Sequence, residues 1–153
     1  MNLHFIISTA ALILTLALQP AMLPAQEVSS VVGFPASEPG YALGVSACYA
    51  GKIGNHLIMA GGCNFITPGH KTFYAGVYAA RIDRKVLNWR LVGWLPENAA
   101  YGISVSAGDS IVIAGGCNEK HSLATAYSLH LNATADSINI TPLTSLPCTI
   151  DNM

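Results

Sequence analysis

Charge is what this chain has least of. Its 153 residues carry 7 Lys and Arg and 8 Asp and Glu, so charged residues make up 10%, where a globular domain has about a quarter. No Lys/Arg run or basic stripe occurs, which removes the electrostatic footprint that nucleic-acid binding needs. No C-x-x-C, H-x-x-x-H or other ligand spacing occurs either, so a zinc or haem site has nothing to stand on. Nor is there an unbroken apolar run of the ~20 residues that a bilayer helix requires. What remains is a chain that is 52% hydrophobic, with a surface that must be polar and neutral.

The first 25 residues contain no Asp, Glu, Lys or Arg. Residues 5–18 are apolar apart from Ser8, Thr9 and Thr15, the length of a signal-peptide core. Ala21 and Ala25 are small enough for cleavage sites, and a cut after Ala25 leaves a mature chain starting at Gln26. Export is the expected reading, with no membrane span once residues 1–25 are removed. A retained anchor is the alternative, because no Lys or Arg precedes Phe5 and Leu23 is bulky for its place before the cut. Export would put Cys48, Cys63, Cys117 and Cys148 in an oxidising compartment, where four cysteines allow three pairings. Cys63 and Cys117 fall in the same slot of a repeat, where a small buried hydrophobe serves equally well, so free thiols are expected.

That repeat organises the chain. Ile58-Met59-Ala60-Gly61-Gly62-Cys63-Asn64 recurs as Ile111-Val112-Ile113-Ala114-Gly115-Gly116-Cys117-Asn118, with the glycine pairs 54 positions apart. Each copy is a short apolar run that stops on two glycines and opens into a polar loop. Brevity and flanking glycines favour strands over a buried helix. Around each copy the pattern predicts four short antiparallel strands: 42–49, 57–60, 73–81 and 86–92, then 101–106, 110–114, 124–131 and 138–141. Turns fall at 51–55, 83–85 and Gly108-Asp109, and Leu95-Pro96 and Leu146-Pro147 close the two units. Residues 26–40 read as a connecting segment broken by Gly33, Pro35 and Pro39, with room for a short strand at 28–32.

A fifty-residue period with four strands per unit is that of a kelch-type β-propeller blade. The fold class is therefore all-β: blade 1 over residues 41–96, blade 2 over 97–147, and residues 148–153 as the start of a third. The glycines are expected where a chain leaving a buried strand turns sharply beside a neighbour too close for a Cβ. Tyr78, Tyr127 and Trp89 are expected to fill the wedge between blades.

Gly44-Val45-Ser46-Ala47, Leu57 through Phe65 with its Gly-Gly-Cys-Asn-Phe, Trp89-Arg90-Leu91-Val92-Gly93-Trp94-Leu95-Pro96, Tyr101-Gly102 and the closing Leu146-Pro147-Cys148-Thr149-Ile150-Asp151-Asn152-Met153 resemble the cyclically permuted mutarotase family. The resemblance covers residues 40–153. It implies a six-bladed propeller, present here as an incomplete one, that interconverts the α and β anomers of sialic acid in the periplasm without a cofactor. The family's acid/base glutamate and carboxylate-binding arginine belong to later blades and match no position here, so neither Glu97, Glu119 nor Arg81 is given those roles and the catalytic residues are unassigned.

Opening a cyclic hemiketal requires one group to take the anomeric proton and another to protonate the ring oxygen. For sugar contact the candidates are Asn64 and Asn118, beyond their glycine pairs, and Glu119 in the second loop, with His121 beside it. The alternative for both asparagines is that they cap their own turns. Arg81, Arg84 and Arg90 are expected on outer strands facing solvent, and His56 in a turn or packing role.

Three functional readings follow: two blades of a sialic-acid mutarotase, a non-catalytic kelch-type module that binds a glycan or protein, and a truncated inactive product. Two blades leave open faces that a closed ring would hide. The 153-residue chain alone is therefore expected to self-associate and to be inactive. Size-exclusion chromatography and an anomer-exchange assay check this, and a soluble, cooperatively melting monomer with mutarotase activity would refute it.

Overall fold

The computed structural model describes residues 33–82 and 86–152. The expected signal peptide, the strand at 28–32 and the polar turn at 83–85 lie outside the described residues. Ten strands occur among those described: β1 Tyr49–Ile53, β2 His56–Ala60, β3 Cys63–Thr67, β4 His70–Phe73, β5 Gly76–Arg81, β6 Arg90–Trp94, β7 Ile103–Ala107, β8 Ser110–Ala114, β9 Ala126–Leu131 and β10 Ile138–Pro142. They form two four-stranded antiparallel sheets, β1-β2-β5-β6 and β10-β9-β8-β7, and a separate two-stranded hairpin, β3-β4.

Each sheet starts from a tight hairpin. Ile53 faces His56 and Ala107 faces Ser110 across the two-residue turns Gly54-Asn55 and Gly108-Asp109. Glycine comes first in both, at φ +54 and +65, as turns matched to strand twist demand. The first strand begins later than expected. Residues 42–49 do not form a strand: Tyr41–Leu43 is a single 3-10 turn between Gly40 and Gly44, both at positive φ, Ser46 makes one isolated bridge with Cys63, and pairing with β2 starts only at Tyr49. The last strand of the first sheet likewise starts at Arg90 instead of 86, because the Trp89 indole is turned aside to donate to the Gly33 carbonyl. The segment expected as a loop at 64–71 is the β3-β4 hairpin, whose tip Pro68-Gly69 has Gly69 at φ +78.

The core lies between the two sheets. Alternation on the strands puts Ile58, Ala60, Val77 and Ala79 on one face of the first sheet, against Ile111, Ile113 and Leu129 of the second. Tyr127, Leu131, Ile138 and Ile140 close the edges of this layer. Burying each large aliphatic contributes about 1.5–3 kcal/mol, which makes this layer the main adhesive between the sheets.

Tyr127 fills the wedge as expected, but Tyr78 and Trp89 do not. With Val77 and Ala79 turned to the second sheet, Tyr78 must point the other way. It stacks there with Tyr41 at 4.8 Å between ring centroids, Tyr74 joins Tyr41 at 4.9 Å, and Trp89 packs alongside. The segment Gly33 to Cys48 thus covers the outer face of the first sheet, and the Glu38 carboxylate accepts from the Gly76 amide at 3.2 Å and the Tyr78 hydroxyl at 2.8 Å. The matching face of the second sheet leaves Ile103 and Val105 43% and 59% exposed.

A polar seam joins the inner strands. Ser104 accepts from the Ala50 amide at 3.1 Å and donates to the Ala50 carbonyl at 2.7 Å, while Ser106 accepts from the Lys52 amide at 2.8 Å. Two side chains of β7 thereby stand in for the strand that the free edge of β1 lacks.

The double glycines adopt the same turn twice, with φ +62 and +101 at Gly61 and Gly62, and +65 and +98 at Gly115 and Gly116. A Cβ on Gly61 would lie 2.2 Å from the Ala99 carbonyl oxygen, whereas one on Gly54 would meet nothing within 4 Å. Gly54→Ala is therefore expected to lose only the left-handed backbone term, about 1 kcal/mol, and Gly61→Ala about 3 kcal/mol or more, since a backbone clash adds to it. Urea denaturation at low protein concentration, where self-association through the open face is suppressed, measures both.

Candidate functional site

The glycine turns, the β3-β4 hairpin and the crossovers from one sheet to the next all lie at one end of the strands. The Gly62 amide donates to the Ala99 carbonyl at 2.8 Å, and the Gly116 amide to that of Ile150 at 2.6 Å. Each crossover is thus clamped on the glycine turn of the sheet it leaves. Just beyond each clamp point stand Tyr101 and Asn152, at φ +65 and +56, and Ala47 occupies the corresponding place before β1 at φ +56. The Tyr101 amide donates to the Ala47 carbonyl at 3.0 Å, so these slots are neighbours.

The three residues expected to meet a sugar, Asn64, Asn118 and Glu119, are all at this end, in different settings. Asn64 donates both amide protons inward, to the Gly40 and Gly44 carbonyls at 2.9 Å each, and accepts from the Tyr74 hydroxyl at 2.8 Å. Its amide holds the 40–44 loop in place. Asn118 accepts the Lys120 and His121 amides at 2.9 and 3.1 Å and donates to Glu97 at 2.9 Å. Glu119 is exposed at the tip of that loop.

Other residues gather that the sequence reading left unassigned. The His121 ring lies 3.8 Å from the same Glu97 oxygen that Asn118 touches, so an imidazole stands beside that carboxylate without a hydrogen bond to it. Ser122 donates to Asp151. The Lys71 ammonium donates to the Tyr101 hydroxyl at 3.1 Å and lies over three rings, those of Tyr101 at 4.7 Å, Phe65 at 5.7 Å and Phe73 at 5.9 Å. The bond to Tyr101 raises the Lys71 pKa, so its charge is secure at neutral pH. The Pro68-Gly69 turn between two short arms was the available signal for the hairpin that carries Lys71.

All four cysteines are free thiols, with Cys63 buried and Cys148 exposed. Burial raises the pKa of Cys48, and burial reinforced by the Asp151 charge raises that of Cys117 against the opposing pull of Lys71. Among the described residues no cluster of three His, Cys, Asp or Glu side chains suits a metal ion, and no helix is long and apolar enough to cross a membrane.

The opposite end has its own cavity of about 490 Å³, lined by His56, Arg81, Asn88, Arg90 and residues 133–135. Arg90 is exposed, as expected, and also donates to the Ala135 carbonyl across the two sheets. Arg81 ends β5 at this rim, and Arg84 lies outside the described residues.

This arrangement has a solved counterpart. A chain described as "Structure of YjhT" superposes with a TM-score of 0.58 at 21% identity, over 70% of this chain and 32% of that one. The two sheets are blades of a kelch-type β-propeller. In sequence, the chain resembles proteins named N-acetylneuraminate epimerase. It is 33% identical to that of Pasteurella multocida over 89 residues, covering 48% of this chain and 23% of the relative. Identity is 33% over 105 residues with that of Brucella suis, covering 60% and 26%. With N-acetylneuraminate epimerase 1 of Escherichia coli O6:H1 it is 31% over 109 residues, covering 63% and 28%. The chain therefore spans about a quarter of the length of the curated relatives it matches. No family model matches it.

The thiols give this end of the blades a test. Iodoacetamide at about pH 8, near an ordinary thiol's pKa, is expected to modify Cys148 first and Cys63 last. Modification of Cys48 and Cys117 should rise only at higher pH, because their raised pKa values leave little thiolate below it. Peptide mass spectrometry of the dilute folded chain reads the order.

Proposed function

We propose that these two blades supply part of the wall and mouth of a site that interconverts the α and β anomers of N-acetylneuraminate. The observation that carries the reading is the 31–33% identity to proteins named N-acetylneuraminate epimerase, in a chain whose polar side chains Asn118, Glu97, His121, Lys71 and Tyr101 gather at the crossover end. The sugar opens when a base removes the anomeric proton as an acid protonates the ring oxygen, and closure on the other face reverses both transfers. No cofactor takes part. Asn118 and Glu119 meet sugar hydroxyls from the second loop, and Asn64 acts by holding the 40–44 loop that borders it. The acid/base pair comes from further blades, so the activity belongs to a protein longer than these two. That protein acts after export to the periplasm, directed by the apolar stretch at residues 5–18.

Saturation-transfer NMR between the two anomers of N-acetylneuraminate tests the assignment. A protein carrying these blades within a complete ring is expected to exchange the anomers well above the spontaneous rate, and the 153-residue chain alone to leave that rate unchanged. Sugar binding without exchange by the complete ring would favour a glycan-binding module instead.

A further inference from the structure

The β3-β4 hairpin belongs to neither blade sheet, and its counterpart in the second blade is a tight turn closed by the single Cys117–Ser122 bridge. Its pairing explains what it presents. Cys63 pairs with Phe73 and Asn64 with Thr72, so alternation places Cys63, Lys71 and Phe73 on one face and Asn64 and Thr72 on the other. The Asn64 face is spent on Gly40, Gly44 and Tyr74. The opposite face meets Tyr101, where Lys71 stands within electrostatic reach of both Cys63 and Cys117.

We propose that Lys71 and Tyr101 together receive the carboxylate of an acidic sugar at the crossover end of the blades, alongside the arginine that the family resemblance places in a later blade. An ammonium has three protons, and Lys71 uses one on the Tyr101 oxygen at 3.1 Å. Tyr101, having accepted that bond, keeps its own hydroxyl proton to donate. Two donor groups thus stand side by side, at a spacing that lets each oxygen of one carboxylate take one of them. The rings of Phe65, Phe73 and Tyr101 fence the ammonium and hold the positive charge there electrostatically. Lys71 is solvent-accessible, so an incoming anion need displace only water.

The left-handed backbone at Tyr101 is shared with Ala47 and Asn152 and belongs to the crossover; a tyrosine in that slot, under a lysine delivered by an added hairpin, does not. Two of the carboxylates at this end are spoken for. Asp151 is held by Ser122, and Glu97 by Asn118 and His121. The assignment deepens the reading of an acidic-sugar substrate and rests on it for the identity of the sugar.

Saturation-transfer difference NMR on the dilute 153-residue chain tests it, with three probes: N-acetylneuraminate, its methyl ester, and glucuronate. Wild type is expected to bind both acids in preference to the ester. Lys71→Met is expected to weaken binding of the acids about fivefold or more, the loss of a charge-assisted bond, without changing that of the ester. Lys71→Arg should restore most of the preference, and Tyr101→Phe should remove part of it. Far-ultraviolet circular dichroism confirms that the variants fold. Unchanged acid binding in Lys71→Met, or a wild type that does not distinguish acid from ester, would overturn the assignment. Glucuronate bound through Lys71 as well as N-acetylneuraminate would uphold the carboxylate site while counting against sialic acid as the substrate.

Discussion

Everything at the crossover end hangs on one clamp: a backbone amide of the second glycine in each pair, donated to the carbonyl of the chain as it leaves that blade. Gly62 holds Ala99 and Gly116 holds Ile150. The clamp works only if the first glycine lets that carbonyl come within 2.2 to 2.5 Å of where a Cβ would stand. It also satisfies amides that would otherwise be stranded in a buried turn, where an unmade hydrogen bond costs about 1–3 kcal/mol. Local backbone chemistry, and not the apolar layer, therefore decides where one blade ends and the next begins.

A tyrosine hydroxyl completes each clamp, and the two tyrosines come from different places. The Gly115 carbonyl accepts from Tyr49 on the inner strand of the first blade at 2.6 Å. The Gly61 carbonyl accepts from Tyr41 in the covering segment at 2.9 Å. The first blade has no described blade before it, and residues 33–48 take over the work a neighbour's strand would do. Burial pushes both phenols well above their usual pKa, so they stay protonated donors. The serine seam shows the same economy on the inner edge, with Ser104 and Ser106 replacing backbone partners of β1.

What was legible in the sequence was whatever repeats. The glycine pairs, the hairpin turns at Gly54 and Gly108 and the Leu-Pro punctuation mark positions where backbone geometry alone chooses the residue, and six of the eight blade strands lie close to where alternation puts them. The misplaced ends have tertiary causes. Residues 42–49 alternate weakly, yet Asn64 reaches across twenty or more positions to bind the Gly40 and Gly44 carbonyls and bends them out of any strand. Tyr78 looked like a wedge residue because its size suits one, but its neighbours Val77 and Ala79 claim the wedge and parity sends it to the far face. The candidate site was legible only as a place. Asn64, Asn118 and Glu119 all fall at the crossover end of the blades, whereas the Lys71–Tyr101 and Glu97–His121 contacts join segments that no sequence spacing relates.

This division between repeated and unrepeated positions separates scaffold from chemistry. The left-handed slot holds Ala47, Tyr101 and Asn152 in turn, so the slot itself is architecture and its occupant is free to vary. The loop after each glycine pair obeys the same rule: in the first blade it is the hairpin from Cys63 to Phe73 bearing Lys71, and in the second a tight turn tied by Asn118 to Glu97. A propeller that used one loop for every blade would offer a ring of like groups around its axis, suited to a symmetric ligand. A sugar acid is not symmetric; it presents a carboxylate on one side and hydroxyls on the others. Placing the cation in one blade's loop and the amide-carboxylate-imidazole cluster in the next makes this end of the molecule asymmetric, as a site for such a ligand would have to be, while the glycine clamps beneath repeat.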